Sequence, residues 1–468
     1  MELFNHQGHG LSVGQTGNQA FFWECGTGKT LLALKLIEYW HAQGIGPALV
    51  VCPLSIIDSA WLADCLQFTP GLSVTSLWAK TSAERRKRLR EDHDLYVVNV
   101  EGLKLLYDDI VARDFGVVIV DESSKMKNPR SQVTKALLSL AGVPFRGSPF
   151  RCERPIPHRY VLSGTPAPND ESEYWAQIKF VTGPGHECFH DNFYAFRAEY
   201  FHGVPIGCTG QKMYRFRSSM RARFQAAMAP ATHVVRKADC LDLPEQIHQI
   251  RTVRLCRPER QAYDAFEEDL VLRFGDQMVL GTTALVETMK LRQLTSGFAY
   301  AEGGEVIQVG TAKLTELRCL LDEIGPHQVI IWANFRAEIQ QLLQALPGAV
   351  ALWSGTEDRE QVIKAFKAGQ AQYLIANPQS AGHGLTFTNC HYAVYFGLSY
   401  SYELQKQSED RIHRIGQQVP CEYFYLLAER TVDETIYRTV RKKGDLSSAT
   451  LAYLRKRHHD QTPRPVTV

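Results

Sequence analysis

WECGTGKT, residues Trp23–Thr30, is the stretch on which the reading of this chain turns. Apolar Ala20–Phe22 lead into it and the helix-like LLALKLIEYW, residues 31–40, leads out, so it stands as a loop between a strand and a helix. That is the setting a phosphate cradle needs. Gly26 and Gly28, flanking Thr27, let backbone N–H groups come close to phosphate oxygens. Lys29 brings a point charge to the β- and γ-phosphates, and Thr30 offers a hydroxyl to Mg2+. The N-terminus of the following helix adds a dipole that favours an anion. The strict pattern for such a loop has Gly at its first position, where this sequence has Trp23.

A second segment gives the loop a partner. VVIVDESS, Val117–Ser124, is an apolar strand ending in adjacent carboxylates. An Asp-Glu pair alone often marks only the acidic start of a helix. Together with the upstream loop it becomes a nucleotide motif, Asp121 holding Mg2+ and Glu122 orienting or deprotonating water. ATP and Mg2+ are the expected ligands.

Composition bounds the setting. The chain has 468 residues, 44% hydrophobic and 22% charged, which suits more than one folded core. A formal charge of +2 excludes a polycation that coats nucleic acid indiscriminately, so any binding face must be local. Eleven cysteines without a C-x-x-C pair indicate neither a disulfide framework nor a zinc module. No apolar run approaches the roughly 20 residues of a membrane span. The expectation is a reducing compartment: cytoplasm of a bacterial cell or phage-infected host, or a nucleus if the source is eukaryotic.

Short apolar runs at Ala48–Cys52, Tyr96–Val100, Val117–Val120 and Tyr160–Ser163, separated by helix-like stretches, give the rhythm of a parallel sheet covered by helices. The rhythm returns at Val329–Trp332, Ala349–Trp353, Gln372–Ala376, Tyr392–Phe396 and Tyr423–Leu427. The fold class is therefore α/β, with two lobes. The expected division is residues 1–170 for the first lobe, 171–310 for mainly helical insertion and linker, 311–440 for the second lobe and 441–468 for a C-terminal extension. In the middle segment Arg257–Phe274 and Leu285–Leu294 have helical spacing, and no strand series is evident. Gly142–His158, with four prolines, reads as a surface loop, and the basic run Arg85–Arg90, bracketed by acids, as a solvated helix face. Lys212–Arg223, basic with Tyr214 and Phe216 interleaved, reads either as an extension of a nucleic-acid track or as a solvated helical face.

Three further segments narrow the class: LSGTPAPN at Leu162–Asn169, NPQSAGHGLTFT at Asn377–Thr388 and QKQSEDRIHRIGQ at Gln405–Gln417. With them the sequence resembles the Swi/Snf family of superfamily-two helicase-like ATPases, with motifs in order from Phe4 to Gln417. Leu49–Trp61 resembles its Cys-Pro-x-Ser segment, Asp121–Asn128 its acidic box, Arg236–Pro244 its link between lobes, and Gly310–Leu321 the opening of its second lobe. Ser123 and Ser124 depart from the box's usual small residue and His, and Ala381–Gly384 from the usual Ala-Gly-Gly-x-Gly. Gly384–Thr388 looks closer to the annealing-helicase branch, and the compact length suits a minimal phage or bacterial member.

The resemblance implies two RecA-like lobes and assigns further residues. Gln7 would read adenine, with Gly384 and Gln407 also at ATP. Arg411 and Arg414 would reach the γ-phosphate from the second lobe. Pro53, Ser55, Glu101, Thr165, Pro166, Ser380 and Gly382 would meet nucleic acid, and Ser163 and Thr165 would couple nucleotide state to it. The implied activity is a DNA-dependent ATPase translocating on double-stranded DNA and remodelling DNA structures or protein–DNA complexes by ATP-driven lobe closure. The alternatives are a strand-separating or annealing DNA or RNA helicase, and a motor subunit serving a separately encoded nuclease, methyltransferase or replication/repair partner.

Overall fold

The structure, a computed structural model, describes residues 3–145, 147–205, 212–269, 271–274, 277–280, 284–301, 303–381 and 385–443. Contacts divide them into two compact units, one running to Leu241 and the other Asp242–Lys442. The C-terminal extension beyond residue 443 lies outside the described residues.

The first unit is built on β1 (Gln19–Trp23), β2 (Ala48–Cys52), β3 (Val74–Ser76), β4 (Leu95–Asn99), β5 (Val117–Asp121) and β6 (His158–Leu162). After the hairpin β7 (Phe201–Pro205) and β8 (Lys212–Phe216), the strand β9 (Thr232–Val235) completes its sheet. The order is β3-β4-β2-β5-β6-β1-β9, with every pairing parallel. Strands such as β1, β2 and β5 are buried throughout, as a sheet covered on both faces requires. The period of two then sends alternate residues into two cores. Phe22, Val51, Val98, Val120 and Val161 join one, and Phe21, Val50, Val97, Ile119 and Tyr160 the other.

The second unit contains β10 (Gln246–Val253), the hairpins β11 (Val271–Phe274) with β12 (Gln277–Leu280) and β13 (Phe298–Tyr300) with β14 (Val306–Gln308), then β15 (Val329–Trp332), β16 (Val350–Leu352), β17 (Tyr373–Ala376), β18 (Tyr392–Tyr395) and β19 (Cys421–Ala428). Its sheet runs β10-β19-β18-β15-β17-β16, again parallel throughout. Ile330, Leu374 and Ala393 face one core; Ile331, Ile375 and Val394 face the other.

The segment between the expected lobes carries the expected helices, among them Arg257–Asp269 and Ala284–Thr295. It also carries strands that the sequence reading did not find. β9 and β10 are edge strands, one lent to each sheet. An edge strand can show polar residues to solvent, and β10, QIHQIRTV, is half-buried along most of its length, so it lacks a continuous apolar run. Lys212–Phe216 is the second strand of a hairpin rather than part of a helical face, and the helix begins at Arg221. In the run Arg85–Arg90 the Arg85 side chain is not solvated: its guanidinium lies 4.2 Å over the Trp78 ring and its Nε donates to the Ala79 carbonyl at 2.8 Å. Desolvation of that cation is offset by the ring face and the carbonyl. Among the described residues no helix is long and apolar enough to cross a membrane.

Candidate nucleotide site

In open parallel sheets, ligands gather at the carboxyl ends of the strands. Apart from Gln7, on the helix before β1, each chemistry-bearing segment of the first unit stands there. The glycine-rich loop follows β1, Pro53 and Ser55 follow β2, Glu101 follows β4, Asp121 and Glu122 end β5, and Ser163–Pro166 follow β6.

The loop has the backbone its glycines allow. Gly26 and Gly28 both have φ 84°, in the left-handed region that favours glycine. Gly28 caps the helix α2 (Lys29–Ala42). A Cβ built on Gly28 would lie 2.1 Å from Gln7 Nε2, so the loop and Gln7 are in close approach. Gln7 sits on α1 (Asn5–Thr16), almost fully buried, with its Oε1 accepting the Phe4 N–H at 3.0 Å and its Nε2 donating to the Gly28 carbonyl at 3.4 Å. His6, one residue earlier, bonds the Thr27 carbonyl at 2.8 Å. Thr27 is itself buried and closes the turn by donating its hydroxyl to the Glu24 carbonyl at 2.8 Å.

Trp23 is the last residue of β1, so the position at which it departs from the strict pattern belongs to the sheet and not to the phosphate turn. Its ring is fully buried beneath α1, where Gly10 leaves room: a Cβ there would lie 2.5 Å from the indole. The indole N–H donates to His233 Nδ1 at 2.8 Å, and His233 Nε2 meets His9 Nδ1 at 2.9 Å. Because indole is only a donor, His233 Nδ1 must accept, which leaves the proton on Nε2 facing His9. Thus α1, β1 and β9 are tied through one imidazole.

Lys29 Nζ donates to the carbonyls of Trp23 at 2.8 Å and Glu24 at 3.2 Å. It also lies close enough to Asp121 to lower that carboxyl's pKa, so the two motifs share one field. Against Lys29 stand burial, the largest effect, and the Glu122 carboxylate, which together leave Asp121 raised. Trp61, in the π-helical turn Ile57–Leu62, donates its indole N–H to Asp121 Oδ2 at 3.0 Å, and the Glu122 N–H donates to Oδ1 at 2.9 Å. Glu122 has φ 51°, a costly conformation for a side chain with a Cβ, and one associated with functional sites. Thr30 and Asp121 are hard oxygen donors of the kind that suit Mg2+. A cation there would also relieve the pressure on the Asp121 carboxyl.

The turn after β6 is packed under the loop. The Ser163 N–H donates to the Phe21 carbonyl at 3.2 Å, and its hydroxyl accepts the Thr165 N–H at 3.2 Å. A Cβ on Gly164 would come within 2.9 Å of Cys25 Sγ and 3.2 Å of the Cys25 nitrogen, so glycine permits this close approach. Thr165 and Pro166 have buried side chains, whereas Ser55 and Glu101 are exposed and Pro53 is half-buried.

In the second unit Gln407 lies buried on the helix Tyr402–Glu409. Arg411 is buried and donates to the Leu385 carbonyl at 3.2 Å. Arg414 is half-exposed, with Nε on the Asp410 carbonyl at 2.9 Å and Nη1 on Thr386 Oγ1 at 3.0 Å. Ser380 follows β17, its N–H held by Asn377 Oδ1 at 3.2 Å. Gly382 and Gly384 lie outside the described residues. Roles for His6, His9, Trp61 and His233 were not assigned from the sequence; of these His6, beside Gln7, and Trp61 stood within segments that carry the resemblance.

Two RecA-like lobes, the first with a glycine-rich loop and acidic pair on the carboxyl edge of its sheet, define the helicase-like ATPase fold. Residues 15–297 match the SNF2-related domain and residues 312–416 the helicase conserved C-terminal domain. The chain belongs to the SNF2 family. It is 26% identical to a putative protein p41 of Acyrthosiphon pisum secondary endosymbiont phage 1, over 92% of this chain and 94% of that one. It is similar to the Caenorhabditis elegans homologue of SWI/SNF-related matrix-associated actin-dependent regulator of chromatin subfamily A-like protein 1, at 24% identity over 95% of this chain and 61% of that protein. It is also similar to the human DNA annealing helicase and endonuclease ZRANB3, at 25% identity over 92% of this chain but 38% of that protein. Among solved structures, the Sulfolobus solfataricus SWI2/SNF2 ATPase core in complex with dsDNA covers 98% of this chain and 96% of its own, at 20% identity and a TM-score of 0.44.

Proposed function

We propose that this chain is a DNA-dependent ATPase that translocates on double-stranded DNA and remodels DNA structures or protein–DNA complexes. The observation that carries the reading is geometric: the glycine-rich loop after β1 and Asp121 at the end of β5 stand on the same carboxyl edge of one parallel sheet, with the turn Ser163–Thr165 packed against the same loop. Family membership and the DNA-directed activity named for a similar human protein support the choice of substrate.

Lys29 binds the β- and γ-phosphates, the N–H groups of the glycine-rich loop cradle them, and Gln7 orients adenine beside the loop. Gly384 and Gln407 contribute from the second lobe. Thr30 and Asp121 would hold Mg2+, which when bound would neutralise charge on the phosphates. Glu122 orients the attacking water and takes its proton. Arg411 and Arg414, the latter first, meet the charge that develops on the γ-phosphate, a contribution worth roughly 10³ to 10⁵ in rate where it has been measured. ATP-driven closure of the lobes then steps them along the strand. Pro53, Ser55, Glu101, Thr165, Pro166, Ser380 and Gly382 mark the nucleic-acid path. Contacts there are chiefly to phosphate and hence indifferent to sequence.

Triplex displacement and strand displacement, measured side by side with ATP, test this reading. Displacement of the third strand without separation of the duplex is expected. Efficient strand separation with no triplex displacement would replace translocation by the helicase alternative.

A further inference from the structure

The acidic box and the turn after β6 are joined by a side chain that belongs to neither. Gln177 lies on the helix Tyr174–Thr182 and is fully buried, as is Ser123. The Ser123 hydroxyl donates to Gln177 Oε1 at 2.6 Å. On the other side of the amide, Gln177 Nε2 donates to the Pro166 carbonyl at 2.6 Å and to the Glu173 carbonyl at 2.9 Å. Both carbonyls are acceptors only, so the amide cannot be turned over without placing its oxygen against two other oxygens. The orientation is fixed, and with it the direction of the chain: Ser123 to Gln177 to Pro166.

Its ends give the relay its meaning. Ser123 follows Glu122, whose left-handed backbone sets the direction in which the acidic box leaves β5. Pro166 follows Thr165, whose N–H is held by Ser163. Proline has no N–H, so its carbonyl is the one backbone hydrogen-bonding group it can use. The acidic box and the Thr165–Pro166 turn thus share one buried amide, where an unmade hydrogen bond is costly. Ser123 and Ser124 are also where this chain departs from the resembled acidic box, so the junction falls at a chain-specific sequence.

We propose that Gln177 is a positioning residue that couples the acidic box to the Thr165–Pro166 turn and so sets how strongly duplex DNA stimulates ATP turnover. This rests on the reading of the chain as a DNA-dependent ATPase. Gln177 touches neither nucleotide nor nucleic acid in this role; it acts through Ser123 and Pro166.

The test is the ratio of DNA-stimulated to basal ATP turnover in the parent chain, Gln177→Met, Ser123→Ala and the double variant, with thermal melting of each. Methionine keeps much of the glutamine's length without its polar groups, and Ser123→Ala deletes one hydroxyl. Each single variant is expected to lower the ratio roughly fivefold or more, the scale of a coupling between two sites. The double variant should be no worse than the more affected single one, because the same link is cut twice. An unchanged ratio in folded variants, or losses that multiply in the double variant, would overturn the relay while leaving the DNA-dependent reading intact. A parent chain that duplex DNA does not stimulate would overturn both. If Gln177→Met fails to fold, Ser123→Ala decides the matter by the same ratio.

Discussion

Trp61 and Asp121 are joined by a hydrogen bond of 3.0 Å from the indole N–H to the carboxylate, with both residues buried. The donor comes from a π-helical turn after β2 and the acceptor from the end of β5, neighbouring strands of the first sheet. The bond fixes the carboxylate that Mg2+ is proposed to meet, and partners of this kind typically tune metal affinity.

Trp61→Phe keeps most of the ring and removes the donor. The magnesium concentration giving half-maximal ATP turnover should rise by about 10- to 100-fold, the usual cost of losing such an orienting partner. Turnover at saturating magnesium should fall less. A magnesium titration that superimposes on the parent would show that the indole merely fills space.

Gly28→Ala should fail for two reasons. The residue has φ 84°, and its Cβ would lie 2.1 Å from Gln7 Nε2. The left-handed backbone alone costs about 1–2 kcal/mol for a residue with a Cβ. Adding Gln7→Ala removes the clash but not the backbone strain, so the double variant should recover part of the melting temperature. Full recovery would mean that the φ angle is not a constraint.

Lys313 and Asp433 form an ion pair of 2.6 Å in the second unit, with side chains 1% and 2% exposed. Asp433 also accepts the Thr295 hydroxyl and the Ala428 N–H, each at 3.1 Å. Lys313→Met strands a buried carboxylate, and the expected loss is about 3–5 kcal/mol of stability. Lys313→Met with Asp433→Asn should lose less, since no lone charge remains. Chemical denaturation followed by a probe in the second unit separates the two, and equal losses would refute the electrostatic account.

The central strands were legible because residues such as Leu49–Val51 and Ile330–Ile331 are buried on both faces and so must be apolar in succession. β3 and β9, of three and four residues, and β10, which keeps polar residues along a half-buried edge, were not, whereas the equally short edge strand β16 was read from its apolar run. The glycine-rich loop after β1 and the acidic pair at the end of β5 could be placed from sequence because each is one short run of residues. The links that organise the site are not local. Trp61 with Asp121, His233 with Trp23 and Gln177 with Ser123 join residues far apart in the chain, and a Gln inside an apolar helix, or a His in a short strand, carries no mark of its partner.

ATP turnover by the purified chain, measured with no nucleic acid and with single-stranded, duplex and forked DNA and RNA, tests the central claim most directly, with Lys29→Ala alongside. The account predicts basal turnover that rises with duplex DNA, and a Lys29→Ala variant that binds DNA without turnover above background. Duplex-independent turnover, or turnover undiminished in Lys29→Ala, would contradict it.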